Sequence, residues 1–256
     1  MELVSIIMPS YNCGKYVEET IHSVQGQTYQ NWEIIFIDDC SKDDTIKRMS
    51  EIREKDTRIR LFQNHVNSGA AVSRNNALRE AKGHWVAFLD SDDLWEPTKL
   101  EKQVKFMEDN GYKFSYTCYS EMDSDGNDTG VVVSGPYRVT KAGMYAFCWP
   151  GCLTVMYDRE AVGLIQIEDI KKNNDYAMWL KVCKKADCYL LPEVLAKYRR
   201  GRSGSVSTHS IKTMIKWHYK LFRDAEKMGV ISSLWHTGVN LVWGFYKKIK
   251  YVKKEA

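Results

Sequence analysis

Three carboxylates fall within four residues at Asp90-Ser91-Asp92-Asp93, directly after the apolar run Trp85-Val86-Ala87-Phe88-Leu89. Like charges this close repel one another unless a cation neutralises them. Hard oxygen donors select Mg²⁺ or Mn²⁺, and Mg²⁺ takes one or two protein carboxylates while water and substrate phosphates complete its shell. The alternative is a solvated acidic turn that caps the helix beginning near Pro97. The preceding buried strand favours a site, because it fixes these side chains at the ligand edge of a sheet.

Three further positions carry candidate chemistry. Asp38 and Asp39 end another apolar run, Glu33-Ile34-Ile35-Phe36-Ile37. A carboxylate there can accept hydrogen bonds from a base N–H or from ribose hydroxyls, or it can cap the helix starting near Asp43. Arg74 lies in the early turns of a helix opened by Ser68-Gly69-Ala70-Ala71. A cation there is mildly unfavourable to the helix dipole, and a bound diphosphate would relieve it; an exposed surface Arg is the plainer reading. Asp175, in Asn173-Asn174-Asp175-Tyr176, begins another helix. It is either a first-turn acid or a general base that takes a proton from an acceptor hydroxyl. Trp149, Tyr157, Tyr176 and Trp179 are candidates to stack on an acceptor sugar, although aromatic residues more often fill the core.

The elements that must hold these residues follow from periodicity. Residues 3–8, 33–37, 59–63 and 84–89 are apolar strands, and 14–26, 43–54 and 69–81 are helices between them. This alternation predicts an α/β fold with a Rossmann-like, mainly parallel sheet flanked by helices. Beyond residue 97 the pattern predicts helices at 98–109, 140–147 and 174–186, and strands at 114–119, 130–133, 153–157, 188–191 and 195–199. The loop Arg200-Gly201-Arg202-Ser203-Gly204-Ser205 is flexible by composition. Helices at 209–228 and 231–250 close the chain. One compact domain is expected over 1–208, with a nucleotide-binding half at about 1–95 and an acceptor half at about 96–208. Residues 209–256 form a C-terminal helical extension.

Composition excludes several classes. The chain has 256 residues, 44% of them hydrophobic and 27% charged, with a mean hydropathy of −0.45. No stretch approaches the roughly 18 apolar residues that span a bilayer. The N-terminus reads as a first strand rather than a signal peptide. Seven scattered cysteines without a CxxC pair read as reduced core thiols of a cytoplasmic protein. Net charge is +4 and uneven. The basic segment Lys247–Lys254 and the apolar residues before it suit a helix lying on an anionic membrane, the inner face of the cell membrane for a cytoplasmic protein. A final helix docked on the core fits equally. Nucleic acid is not an expected partner.

Four segments in order resemble family 2 glycosyltransferases of the GT-A fold: Val4–Asn12, Ile34–Thr45, Asn67–Ala77 and Phe88–Asp93. Together they span about 90 residues and are far more specific than any one of them. Asp175-Tyr176 to Trp179-Leu180 and Tyr198-Arg199 match more loosely. The resemblance implies that Pro9, Tyr11 and Asp39 line the nucleobase and ribose pocket, with Asp38 beside them. It places Arg74 near the base or phosphates and makes Asp90-Ser91-Asp92 the DxD motif. Asp92 would ligate Mn²⁺ or Mg²⁺, and Asp90 would reach the ribose or a metal-bound water. Asp175 aligns with the catalytic base.

The chain departs from the family at Asn174, where relatives often have an acid, and at Gly201, where they often carry His. The QxxRW motif of processive relatives is absent. What the resemblance implies is a single, inverting transfer from a nucleotide-diphosphate sugar, UDP-hexose being the commonest donor. The acceptor would be a saccharide or lipid-linked saccharide in cell-surface polysaccharide or glycolipid synthesis. The alternatives are a haloacid-dehalogenase-type phosphatase, whose motif also follows a strand, and a non-catalytic nucleotide-sugar binding protein. The GxGxxG of a dinucleotide-binding oxidoreductase does not follow the first strand.

Overall fold

The computed structural model describes residues 1–201 and 210–254. Apolar runs become strands β1 (Val4–Ser10), β2 (Trp32–Asp38), β3 (Ile59–Gln63) and β4 (Trp85–Phe88), separated by helices α1 (Val17–Gln25), α2 (Thr45–Lys55) and α3 (Ala70–Glu80). Every residue of β1, β2 and β4 is buried. Both faces of the sheet are covered, so these strands read as unbroken apolar runs rather than alternating ones. Ile7, Ile35 and Phe88 pack towards α3 on one face. Ile6, Met8, Ile34 and Phe36 pack on the other with Val17, Ile21 and Val24 of α1.

The four strands pair in parallel in the order β3-β2-β1-β4. The order reverses beside β1. In open α/β sheets the crevice outside the strands' carboxyl ends, at such a reversal, is where ligands bind.

The rest of the chain comprises β5 (Leu94–Trp95), α4 (Lys99–Asn110), β6 (Phe114–Met122), β7 (Asp128–Val133), β8 (Arg138–Val139) and α5 (Lys141–Ala146). A short 3₁₀ turn (Cys152–Thr154), β9 (Met156–Asp158), α6 (Arg159–Val162), α7 (Asn174–Cys183) and β10 (Cys188–Arg199) follow. Then come α8 (Ile211–Lys220), a π turn (Leu221–Ala225), α9 (Val230–Lys250) and β11 (Val252–Lys254). β9 lies antiparallel between β4 and β6, and β10 runs parallel to β6. The sheet is therefore mixed, with its parallel run in the first half.

Several elements differ from the sequence expectation. The two strands expected at 188–191 and 195–199 are one strand, β10, whose register shifts around Val194. The irregularity absorbs Pro192, which has no N–H for a ladder bond. The strand expected at 153–157 is the 3₁₀ turn followed by β9. Residues 202–205 of the predicted loop, and the expected boundary at 208–209, lie outside the described residues. Leu221, Phe222 and Ala225 join the core, and β11 adds to the sheet edge beside β7.

The aromatic acceptor candidates are core residues. Trp179 is fully buried, edge-on to Phe88 with ring centroids 5.0 Å apart. The Tyr176 hydroxyl is buried and donates to the Met144 carbonyl at 2.7 Å. Trp149 is buried edge-on to Trp243 and Tyr251, and Tyr157 is buried near Phe88. None presents a face to an acceptor sugar. Their sequence spacing marks a packed interior, which is the commoner use of aromatic side chains.

The loop entering β4 crosses close to β1. A Cβ on Gly83 would stand 2.6 Å from the Leu3 carbonyl oxygen and 2.6 Å from the Ser5 nitrogen. Both are backbone atoms and cannot move aside cheaply. Gly83→Ala should therefore destabilise the protein by about 1–3 kcal/mol, read as a lower midpoint in urea denaturation. An unchanged midpoint would mean that the two segments separate more easily than their packing indicates.

Candidate active site

β1 and β2 deliver their exit loops side by side. Asn12, in the left-handed region at φ 50°, donates its N–H to Ser41 Oγ at 2.9 Å, and Lys42 N–H donates to Asn12 Oδ1 at 2.8 Å. Pro9 is buried in β1, while Tyr11 just beyond it stays 41% exposed. Asp38 is buried, and its Oδ2 accepts from Ser41 N–H at 2.9 Å and from Gln63 Nε2 at 3.0 Å. Asp38 Oδ1 and Ser10 Oγ, on residues paired across β1 and β2, are buried without hydrogen-bond partners among the described residues.

Asp39 does cap backbone N–H groups, but at α3 rather than α2. Its Oδ1 accepts from Ser68 N–H at 2.9 Å and Asn64 Nδ2 at 2.8 Å, and its Oδ2 accepts from Gly69 N–H at 2.7 Å. Gly69 sits at φ 85°, a conformation that glycine alone adopts freely. The carboxylate at the end of β2 thus fixes the start of the helix that carries Arg74.

Arg74 is the centre of the site. It is buried, and Nη2 donates to Asp90 Oδ1 at 2.6 Å while Nη1 donates to Asn174 Oδ1. The anion that its place on α3 calls for is supplied by the protein itself, as Asp90. Burial alone would lower the Arg74 pKa, but the negative charges of Asp90 and Asp175 outweigh that and leave it raised. One planar guanidinium therefore joins the turn after β4 to the first turn of α7, as bidentate geometry allows. Asp175 follows directly on Asn174. It is half-buried, and its Oδ1 accepts from Tyr176 N–H at 2.8 Å.

The acidic turn divides by exposure. Asp90 and Asp92 are half-exposed, whereas Ser91 and Asp93 are buried. Asp93 accepts from Arg199 N–H at 2.8 Å. Its carboxyl is held well above the usual range, first by burial and then by the charges of Asp92 and Asp90. Arg199 is itself buried; its Nε donates to the Asp92 carbonyl at 2.8 Å and its Nη2 to Glu19 Oε2 at 2.6 Å. Among the described residues no group of three His, Cys, Asp or Glu side chains could hold a metal by itself. Two half-exposed hard-oxygen carboxylates on one turn nonetheless fit Mn²⁺ or Mg²⁺ with phosphates and water completing the shell.

The structure thus brings together Asp90, Asp92, Arg74 and the start of α7 with Asp175. The sequence reading gives Arg199 no role and does not single out Asn64. Their partners lie 107 and 25 residues away, and spacing cannot reveal such pairs. The only signal for Arg199 is the Tyr198-Arg199 pair, which matches the family loosely.

Comparison with known proteins identifies the family and the fold. Residues 5–140 match glycosyl transferase family 2. The chain is 42% identical over 234 residues, 91% of this chain and 92% of the other, to a putative teichuronic acid biosynthesis glycosyltransferase, TuaG, of Bacillus subtilis. It is 42% identical over 216 residues, 84% of each chain, to the Escherichia coli UDP-Glc:α-D-GlcNAc-diphosphoundecaprenol β-1,3-glucosyltransferase WfaP. Among solved structures, residues 1–349 of S. aureus TarS with UDP-GlcNAc superpose with a TM-score of 0.71 at 20% identity, covering 98% of this chain and 76% of that one. The Pyrobaculum calidifontis mannosyltransferase PcManGT, with GDP-Man and Mn²⁺, superposes with a TM-score of 0.68 at 18% identity, covering 97% and 73%. These likenesses favour neither a phosphatase nor a mere binding protein. Sequence and architecture agree that this chain belongs to glycosyl transferase family 2 and is a glycosyltransferase of the GT-A fold.

Proposed function

We propose that this glycosyltransferase moves a hexose from a uridine-diphosphate donor to a hydroxyl of a lipid-linked saccharide, inverting the anomeric carbon. Mn²⁺ or Mg²⁺ would be held by Asp92, with Asp90 touching it directly or through water. The observation that carries the reading is the bridge from Arg74 to both Asp90 and Asn174, which ties the acidic turn after β4 to the helix that carries Asp175. The donor assignment is supported by TarS, solved with UDP-GlcNAc and with UDP. The metal is supported by PcManGT with Mn²⁺. The acceptor class is supported by WfaP, whose name specifies a diphosphoundecaprenol-linked sugar, and a role in cell-surface polysaccharide synthesis by the TuaG name.

In this reading residues 1–95 hold the donor, 96–208 shape the acceptor side and 209–256 extend it. Pro9, Tyr11, Asp38 and Asp39 line the base and ribose, and Ser91 shapes the DxD turn. Asp92 would hold the divalent cation, which when bound would supply Lewis-acid stabilisation to the departing diphosphate, a contribution of several kcal/mol. Asp175 accepts the proton of the attacking hydroxyl, a contribution of about 10²–10⁴ in rate. Arg74 holds Asp90 and the start of α7 at fixed separation, so donor and base meet in register. Attack on the face opposite the leaving diphosphate inverts the centre in one displacement. No helix among the described residues is long and apolar enough to cross a membrane. The protein works at the cytoplasmic face of the membrane, where a lipid-linked acceptor is presented.

With a UDP-hexose panel and a lipid-diphosphate saccharide acceptor, Asp175→Asn should slow UDP release by about 10²–10⁴ at an unchanged melting temperature. Turnover like that of the parent protein would remove Asp175 from the base role. Chelation should abolish transfer and Mn²⁺ should restore it, and Asp92→Ala should stay inactive with metal present; chelator-resistant transfer would refute the metal. Arg74→Lys keeps the charge but cannot span both partners, so kcat should fall about 10²-fold through misplacement. A kcat unchanged in this variant would deny Arg74 its positioning role.

A further inference from the structure

The last long helix is inverted in polarity. α9 turns Ser233, Thr237 and Asn240 into the protein, where all three are buried. It exposes Ile231, Leu234, Trp235, Val242, Phe245 and Ile249; Trp235 is 70% exposed and Phe245 69%. At 3.6 residues per turn these six fall on one stripe about a third of the circumference wide, opposite the buried seam. Lys248 and Lys250, both exposed, flank the stripe at the helix end, and the exposed Lys253 and Lys254 follow on β11. Neighbouring α8 adds exposed Ile211 and Ile215 beside exposed Lys212 and Lys216. A continuous apolar stripe of this kind marks an interaction surface rather than scattered surface hydrophobes.

Charge decides what covers it. Residues 210–254 contain ten Lys and Arg against two acids, Asp224 and Glu226. One of the two, Glu226, is buried and paired with Lys184 at 2.7 Å. A second copy of this face would meet like charge, which opposes self-association. An anionic lipid surface attracts the lysines while its acyl boundary takes Trp, Phe and Ile.

We infer that the α8–α9 face is a peripheral docking surface for an anionic bilayer, with the α9 stripe buried at the headgroup boundary and the lysines on the lipid phosphates. The surface also has a fixed relation to the site. Asn240 Nδ2 donates to the Tyr145 carbonyl of α5 at 3.2 Å, and the Tyr176 hydroxyl of α7 donates to the adjacent Met144 carbonyl at 2.7 Å. One short helix thus separates the membrane face from the helix that carries Asp175. The inference adds a surface to the proposed function and does not depend on the donor, metal or base assignments.

The test is flotation of the full chain, without sugar nucleotide, on vesicles of phosphatidylcholine alone or mixed with phosphatidylglycerol. The protein should float only with the phosphatidylglycerol vesicles and should be released by high salt. Trp235→Gln with Phe245→Gln should lower partitioning at least about tenfold, and Lys253→Glu with Lys254→Glu should do so by at least about tenfold. Both pairs should keep the parent melting temperature and parent turnover on a water-soluble acceptor. Failure of the parent protein to float, equal binding to neutral vesicles, or undiminished partitioning of both folded variants would overturn the inference. So would a dimer in sedimentation that Trp235→Gln with Phe245→Gln dissolves. None of these results would bear on transfer itself, which the soluble-acceptor assay reads separately.

Discussion

A single buried guanidinium holds the two halves of the site together. Arg74 cannot lie in the interior as an isolated charge, because the loss of hydration would cost several kcal/mol. It is tolerable only with Asp90 on one side and Asn174 on the other. Those partners sit on different elements, one at the end of β4 and one at the start of α7. The need to satisfy one charge therefore fixes the separation between the acidic turn after β4 and a candidate base. Asn174 fills a position where relatives often carry an acid. An amide oxygen accepts the same hydrogen bond without adding a further negative charge beside Asp175.

Around that bridge, other buried polar groups perform similar service at one remove. Asp39 satisfies the N–H groups that open α3 and so sets the helix on which Arg74 rides. Arg199 reaches from the end of β10 to the Asp92 carbonyl and the Asp93 carboxylate. The acidic turn is thus gripped from behind while Asp90 and Asp92 stay half-exposed. Such support matters because small displacements of reacting groups cost large factors in rate.

The carboxyl edge of the sheet and the C-terminal helices solve opposite problems. The edge concentrates polar groups where the strand order reverses, a location dictated by topology. The helices end the chain by covering α5 with a polar, small-residue seam and turning large apolar side chains outward. A helix that followed the usual rule would bury Trp235 and Phe245 and expose Ser233 and Asn240.

The parallel half of the fold was legible in the order of the residues. Strands buried on both faces must be apolar throughout, and the helices between them show the 3.6-residue period, so β1 to β4 and α1 to α3 were readable to within a few residues. The acidic turn after β4, the paired Asp38 and Asp39, and Asp175 were likewise legible as local patterns with a chemical meaning. Tertiary structure alone decided which group each residue meets. The partner of Arg74 on α7 lies 100 residues away, and no local period encodes a contact at that distance. Burial separated Trp179, Tyr176 and Trp149 from any acceptor role, because an aromatic at helical spacing looks the same in sequence whether it faces a core or a ligand. The pairing of β11 with β7 was equally invisible, since it depends on what lies opposite in space and not on what lies adjacent in the chain. The residues of α9 fit a membrane and a core equally, and the buried seam of Ser233, Thr237 and Asn240 decided which way its apolar side chains turn.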